Sequence, residues 1–225
     1  MSNFTAWRSL VDGEEIGAIP DSVIAHYDAT TESSTGGITT INDQVGPFDL
    51  TGNCTVVSNG INGNLTYEFD GSDDVMENTE ISQTTPNYTI AVMRYDANIF
   101  NDAGDDGFYD TTDSSGNRRQ LDLFEGSWRI FHGDSTASGG STDNNAHLFV
   151  HEANASGTTD SLEVDGTQVA SGDVGDGSID DFALGFAGSE FCEISVGELL
   201  HYDDPSSQLI SDEKTRLSDK WGITL

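Results

Sequence analysis

The chain has 225 residues, with 40 acidic and 8 basic side chains and a formal net charge of −32 at pH 7. Such a surface repels nucleic acid phosphates and anionic lipid, so we expect neither nucleic acid nor a membrane as a partner. It also repels itself unless salt screens it, over a screening length of about 3 Å at 1 M. The composition therefore predicts an extremely halophilic source, with an ordinary acidic protein as the alternative.

The first residues of the chain lack the features of an export signal. Residues 1–20 are polar, end at Pro20 and contain no apolar core of the kind that signal peptides carry. No run in the chain approaches the roughly 18 apolar residues of a membrane span. We therefore expect a protein that is made in the cytoplasm, with residues 1–20 as an arm that docks to a neighbouring protein.

Residues 21–225 have the length of one all-β domain. Alternating apolar and polar residues predict strands at 23–28, 38–45, 54–58, 65–70, 88–95, 119–124, 127–132, 146–153, 161–165, 167–170, 181–186 and 191–202. Asp165-Gly166 is typical of a two-residue hairpin. Stretches rich in Asp, Gly, Ser and Thr predict loops at 101–117, 133–145 and 171–180. The pattern favours an antiparallel two-sheet sandwich.

One short helix is expected near the C-terminus. Ser211 is its expected N-cap. Leu217 and Trp221 lie on one face of that helix, and Gly222 is placed to end it. The helix would therefore pack on the sandwich through that face.

Several motifs occur in a fixed order, namely His26-Tyr-Asp28, Phe69-Asp-Gly-Ser-Asp-Asp-Val75, Val164-Asp-Gly166, Gly197-Glu-Leu-Leu-His-Tyr202 and Lys220-Trp-Gly222. Over about residues 20–225 they resemble laminin-G-like domains, the jelly roll of the concanavalin A-like lectins and glucanases. The closing strand and helix look like the variant common in tailed-virus proteins. The resemblance implies a fold that works mainly outside cells, mostly binds sugars or proteins, and only sometimes catalyses.

The segment Gln120-Leu-Asp-Leu-Phe-Glu125 is similar to the Glu-x-Asp-x-x-Glu strand of retaining glucanases with this fold. In those enzymes the first Glu is the nucleophile and the last is the acid/base, about 5 Å apart. Gln120 is an amide and cannot form the glycosyl-enzyme ester. We therefore expect no hydrolase activity.

A candidate ligand site combines Trp128, Arg129 and His132 of one strand with Tyr109 from the loop before it. Aromatic faces stack on sugar rings, and Arg and His supply hydrogen bonds. The alternative is that Trp128 points into the core and Arg129 faces solvent.

A candidate calcium site lies in an acidic loop. Calcium takes six to eight oxygen ligands, which carboxylates could supply from Asp102, Asp105, Asp106 and Asp113. The alternative is a hydrated acidic surface, because clusters arise readily among 27 aspartates. Two cysteines, Cys54 and Cys192, form either a disulfide or two buried thiols.

These features favour a non-enzymatic protein on the virion surface of a haloarchaeal virus, made in the host cytoplasm. It would bind host surface glycans or glycoproteins, dock to other virion proteins through its N-terminal arm and form a homo-oligomer. One alternative is a carbohydrate-binding module or inactive glucanase-like protein of a halophilic cell. Another is a purely architectural capsid decoration protein.

Overall fold

The computed structural model describes residues 10–11, 14–15, 22–95, 106–112, 118–133, 135–187 and 190–225. This part of the chain contains 19 strands, one α-helix and two short 3-10 turns. The strands are β1 (Leu10–Val11), β2 (Glu14–Glu15), β3 (Val23–Asp28), β4 (Gly36–Ile41), β5 (Leu50–Val57), β6 (Thr66–Asp70), β7 (Val75–Asn78), β8 (Asn87–Tyr95), β9 (Asp106–Thr112), β10 (Arg118–Phe124), β11 (Ser127–His132), β12 (Ser135–Gly139), β13 (His147–Ala153), β14 (Asp160–Val164), β15 (Thr167–Gly172), β16 (Phe182–Leu184), β17 (Phe186–Ala187), β18 (Glu190–Phe191) and β19 (Glu193–Asp203). The 3-10 turns are Ala29–Thr31 and Ile61–Gly63, and the helix is α1 (Ser207–Trp221).

Most strands belong to one antiparallel ladder that folds over into two layers. Strand β5 forms the corner, since residues 51–53 pair with β7 and residues 55–57 pair with β6. The layer that we call the helix-side sheet contains β3, β6, β19, β8, β13, β14 and β15. The other, the cleft-side sheet, contains β7, β16, β9, β10, β11 and β12. This arrangement confirms the predicted all-β, two-sheet jelly-roll sandwich with a short C-terminal helix.

The main apolar core lies between the two sheets. Phe149 of the helix-side sheet contacts two rings of the cleft-side sheet, with ring centroids 5.0 Å from Phe108 and 5.0 Å from Trp128. A second apolar cluster lies on the outer face of the helix-side sheet, where Leu200 and Tyr202 pack against Leu217 and Trp221 of α1. The predicted apolar face of the helix is therefore confirmed.

The N-cap of the helix lies five residues before the predicted cap. Ser206 is the N-cap, and its Oγ accepts a hydrogen bond from the Leu209 N–H at 3.2 Å. The prediction of Ser211 as cap is wrong because Leu209 and Ile210 pack against the second cluster and extend the helix toward its N-terminus. Gly222 ends the helix in the left-handed conformation, at φ +67°, as predicted.

Three strands fall where loops were expected or where no strand was expected. Strand β7 was not predicted, and β9 and β12 lie within the predicted loops 101–117 and 133–145. Strand β12 has the sequence Ser-Thr-Ala-Ser-Gly, which lacks apolar alternation because its residues are mostly exposed at the sheet edge. Backbone pairing with β11 holds it there. The Asp165-Gly166 hairpin is confirmed, with φ +49° and +75° at the two residues.

Cys54 and Cys192 are both buried and form no disulfide, which settles the choice between a disulfide and two buried thiols. Burial raises the pKa of the Cys54 thiol to about 12. No helix among the described residues is long and apolar enough to cross a membrane. Of the predicted arm at residues 1–20, the structure describes only the paired strands β1 and β2, so the arm stays a prediction.

Candidate functional site

The outer face of the cleft-side sheet carries one row of paired residues across five strands. Cross-strand pairing aligns Glu77 with Ala183, Ala183 with Asp110, Asp110 with Gln120, and Gln120 with Phe131. Directly paired residues point to the same face of a sheet. A methyl group at the Ala183 position thus separates two carboxylates on the strands either side of it.

The small side chain of Ala183 opens a depression at this point, which we call the outer-face cleft. The cleft has a volume of about 320 Å³. Its lining comes from β7, β9, β10, β16 and β17 and combines carboxylates, amide and hydroxyl groups, one guanidinium and aromatic rings, from Glu77, Asn78, Thr79, Asp110, Thr111, Arg118, Asp181, Phe182, Ala183 and Phe186. Polar groups placed beside a ring can orient a bound ligand.

Arg118 is fixed at one side of the outer-face cleft. Its Nε and Nη2 both donate to Asp110 Oδ2, at 3.0 and 2.7 Å. The guanidinium also lies 5.9 Å from the centroid of the Phe131 ring. The Arg118 side chain remains 30% exposed, so the pair presents a charged edge to a ligand.

The hairpin of β17 and β18 covers the neighbouring part of the same face. Gly107 allows its close approach, because a Cβ there would lie 2.0 Å from the Ala187 Cβ. The Phe186 and Phe191 rings of the hairpin contact each other edge to face, with centroids 5.2 Å apart. Phe186 is half-buried and lines the cleft, so its ring is placed to contact a ligand there.

A second cleft of about 450 Å³ lies beside β5, β6 and β19. Its Arg94 and Glu68 side chains both hydrogen-bond to Ser195 Oγ, at 2.9 and 2.6 Å. Phe69 is the one ring in its described lining, and that ring is buried. This second cleft therefore offers a ligand less than the outer-face cleft does.

The structure separates the four residues of the predicted ligand site. Trp128, His132 and Tyr109 point into the space between the sheets and are at most 2% exposed. Arg129 points to the outer face, 8% exposed, and binds Asp122 through two bonds of 2.8 and 2.6 Å. Their ligand role stays a prediction, and their burial matches the alternative of core packing for Trp128.

Tyr109 and His132 belong to a network inside the sandwich, which we call the interior polar layer. In the cleft-side sheet, Arg119 pairs with His132 on one side and with Thr111 on the other. In the facing sheet, Thr89 pairs with His151 and with His201. Polar groups thus cross the core in two opposed rows.

Short contacts tie the two rows together. His151 Nδ1 is 2.6 Å from Tyr109 Oη, and His151 Nε2 is 2.9 Å from His132 Nε2. Burial lowers the pKa of His132, His151 and His201, and the nearby charge of Arg119 lowers it further. These imidazoles are therefore neutral in the folded protein at neutral pH.

The Gln120 segment departs further from the glucanase strand than the sequence suggested. Gln120 and Asp122 share the outer face of β10, two residues apart. Glu125 lies beyond the strand, in the turn to β11, with φ +50°. Within the segment, the second carboxylate of a retaining pair is thus absent from the sheet face.

The side chains of the predicted calcium ligands are outside the described part of the structure. Asp102, Asp105 and Asp113 lie outside the described residues, and of Asp106 only the backbone, in β9, is described. Calcium binding stays a prediction. Among the described residues, carboxylate oxygens of Asp70, Asp73 and Asp74 lie within 4.8 Å of one another in an exposed turn.

That turn has its own structural explanation. Asp70 Oδ1 accepts a hydrogen bond from Ser72 N at 2.8 Å, and Asp74 Oδ2 accepts one from Asp70 N at 3.2 Å. Asp74 Oδ1 also accepts from Asn53 Nδ2 at 2.5 Å. The carboxylates therefore meet because they cap the backbone of the turn.

Sequence reasoning missed the residues of the outer-face cleft. Glu77 and Asp110 are 33 positions apart and meet only because β16 inserts between β7 and β9. The strand register that aligns them leaves no mark in either segment alone.

No protein-family model and no curated protein matches the sequence. Solved structures do share the fold. Trypanosoma rangeli sialidase matches with a TM-score of 0.63 at 15% identity, over 95% of this chain and 35% of that one. The binding domain of Paraclostridial Mosquitocidal Protein 1 matches with a TM-score of 0.64 at 12% identity, over 89% of this chain and 52% of that one.

The botulinum neurotoxin serotype D ligand binding domain, solved in complex with N-acetylneuraminic acid, matches with a TM-score of 0.65 at 12% identity. The match covers 91% of this chain and 55% of the neurotoxin chain. The chain thus spans between about a third and just over half of the length of these solved chains. At such identities the likeness shows a shared β-sandwich fold and no more.

Proposed function

We propose that this protein is a non-enzymatic glycan-binding protein and that the outer-face cleft is its binding surface. The observation that carries the proposal is the cleft itself, in which carboxylates and the Arg118 guanidinium border the half-buried ring of Phe186. A neurotoxin domain of similar fold was solved with N-acetylneuraminic acid, and the cell entry of neurotoxin type C depends on two ganglioside molecules. Sugar binding on this fold class supports the same activity here.

The chemistry of the cleft favours neutral sugars. Carboxylates of Glu77, Asp110 and Asp181 accept hydrogen bonds from sugar hydroxyls, and the Phe186 ring offers an apolar face to the sugar ring. Arg118 is the one cation of the lining, and its charge is already paired with Asp110. An acidic sugar would therefore meet a surplus of negative charge.

Binding without cleavage follows from the groups present. Gln120 stands where a retaining glucanase of this fold has its nucleophile, and Arg118 holds Asp110 as a hydrogen-bond acceptor. We therefore expect no release of reducing sugar from any glycan that the protein binds. A time-dependent release that the Asp110→Asn variant loses would contradict the non-enzymatic assignment.

The setting that we propose is the virion surface of a haloarchaeal virus. The composition supports it, since a net charge of −32 suits molar salt, and so does the resemblance of the closing strand and helix to tailed-virus proteins. The arm at residues 1–20 would dock to another virion protein, with copies arranged in a homo-oligomer. Mass spectrometry of purified particles tests this setting.

The binding test uses a glycan array and host surface fractions in about 3 M NaCl, where surface charge is screened. The Ala183→Leu variant fills the cleft with three extra carbon atoms, and we expect it to bind at least about tenfold more weakly. The matched control is Ala155→Leu, at an exposed turn position. Both variants should keep the unfolding free energy within about 0.5 kcal/mol of wild type.

Two outcomes would count against the proposal. Undiminished binding by Ala183→Leu would show that the glycan binds to a surface other than the outer-face cleft. A wild-type protein that binds no glycan and no host surface fraction would favour the purely architectural role. If the purified virus particles lacked the chain while glycan binding persisted, we would assign the protein to a halophilic cell and not to a virion.

A further inference from the structure

Arg119 is a cation enclosed in the middle of the sandwich. Its side chain is 0% exposed, and Nη2 donates to the His151 carbonyl oxygen at 3.2 Å. Nε and Nη1 have no hydrogen-bond partner within the described part of the chain. Arginine keeps its proton in proteins, so the three N–H bonds of Nε and Nη1 are left to be satisfied.

No carboxylate of the described residues forms an ion pair with Arg119. The acidic group of this region is Asp160, which is also 0% exposed. Its oxygens accept hydrogen bonds from the backbone of Asn154 and Val174, at 2.5 and 3.1 Å, and one lies 3.6 Å from His132 Nδ1. A buried charge without a direct counter-charge is costly, which calls for another anion beside the guanidinium.

The interior polar layer supplies further donors around this cation. The Thr111 hydroxyl lies directly across the ladder from Arg119 and has no partner among the described residues. His201 Nε2, on the facing sheet, is also without one. A hydroxyl and a neutral imidazole can each donate one hydrogen bond. The unpartnered Nε and Nη1 atoms of Arg119 therefore share the layer with other available donors.

We propose that Arg119 binds a single halide ion, chloride in the protein's natural medium, through one of its two unpartnered nitrogens, Nε or Nη1, which lie on different edges of the guanidinium. The enclosed position excludes large anions and favours a monatomic one that gives up its hydration shell. The negative surface opposes entry of an anion, but concentrated salt screens that field while the buried cation acts at contact distance. The ion would neutralise Arg119 and join the two sheets at the centre of the core.

Bromide provides a direct test on the wild-type protein. Crystals grown in NaBr in place of NaCl should show an anomalous difference peak within hydrogen-bonding distance of Arg119 Nε or Nη1. The peak should disappear when the crystal is returned to NaCl, with chloride in its place. A water molecule at this position, without anomalous signal, would overturn the proposal.

A second test measures the midpoint of thermal unfolding at constant ionic strength, with chloride replaced stepwise by gluconate. For wild type we expect the unfolding midpoint to rise by about 3–5 °C for each tenfold rise in chloride concentration above the dissociation constant, since only the folded state binds the ion. The Arg119→Gln variant should lose this dependence. Arg94→Gln, which removes a half-buried arginine outside the layer, should keep it.

Wild type whose midpoint follows ionic strength alone would contradict a specific halide site. If Arg119→Gln does not fold, the bromide experiment on wild type still decides the question. Neither test involves sugar, so the proposed glycan cleft and the halide site stand or fall separately.

Discussion

The outer faces of the two sheets differ in how they are covered. On the helix-side sheet, α1 covers the face and the charged groups beneath it are paired with one another. On the cleft-side sheet, the row through Ala183 leaves charged and aromatic groups beside an open cleft. The difference indicates that one face serves stability and the other is free to bind a ligand.

Glu198 is the centre of the covered face and is 0% exposed. Its carboxylate receives Arg216 Nη2 at 2.7 Å, Lys220 Nζ at 2.6 Å and Trp221 Nε1 at 3.0 Å, all from the helix. Its Oε1 is also 2.8 Å from His26 Nε2 of β3. Burial alone would raise the pKa of Glu198, but His26 and the two cations outweigh it and hold that pKa well below its usual range.

The largest effect is expected from Glu198→Gln, which keeps the shape of the side chain and removes its charge. Arg216 and Lys220 would lose their buried counter-charge, and an amide NH2 would replace one of the two acceptor oxygens, so we expect the free energy of unfolding to fall by about 3 kcal/mol. Urea unfolding in concentrated salt measures it. Glu213→Gln is the matched control, because Glu213 binds the same Arg216 but its side chain is partly exposed, and its loss should stay below about 1 kcal/mol. Equal losses in the two variants would show that Glu198 contributes no more to stability than Glu213 does.

Acid should weaken the interior before it affects the covered face. The pKa values of His132, His151 and His201 are lowered by burial, so below about pH 6.5 the unfolded chain takes up protons that the folded chain refuses. As the pH decreases below this value, the free energy of unfolding therefore decreases by up to about 1.4 kcal/mol per pH unit for each histidine. Glu198, with its lowered pKa, keeps its charge over this range.

Urea unfolding between about pH 7.5 and 5 in constant salt measures this slope. His201→Asn should make the loss shallower. His147→Asn should make it steeper, since Asp165 and Asp143 outweigh burial and raise the pKa of His147. A raised pKa stabilises the fold below pH 6.5 and loses that contribution as the pH rises through the folded value. A stability that stays constant from pH 7.5 to 5 would contradict this account.

The sequence predicted the sandwich but not the outer-face cleft, for a physical reason. Alternation predicted the strands at 119–124 and 127–132, because the two sides of a half-buried strand differ in polarity. In β9 the apolar Phe108 and Tyr109 are adjacent and flanked by Asp and Gly, and a register shift in its pairing with β10 breaks the alternation. The outer-face cleft depends on which strands become neighbours, and that is decided by the whole ladder.

The same limit explains the error at the helix and the unexpected position of two candidate ligand residues. Ser211 and Ser206 can each cap a helix locally, and only contact with the sheet selects Ser206. Tyr109 and His132 were chosen as candidates because an aromatic face can stack on a sugar ring and His can supply hydrogen bonds. Register instead places them within the interior polar layer, where His151 joins them.

The smallest effect comes from adding one methyl group to the covered face, with Gly197→Ala. A Cβ at Gly197 would lie 2.7 Å from the Trp221 ring, which is 0% exposed and is held by its bond to Glu198. Trp221 cannot move aside without breaking that bond, so we expect a loss of about 1–3 kcal/mol in urea unfolding. Gly37→Ala, with no atom within 4 Å of the new methyl, should cost far less. A harmless Gly197→Ala would show that the helix sits loosely, and the contrast with the open face, which tolerates a leucine at Ala183, would then disappear.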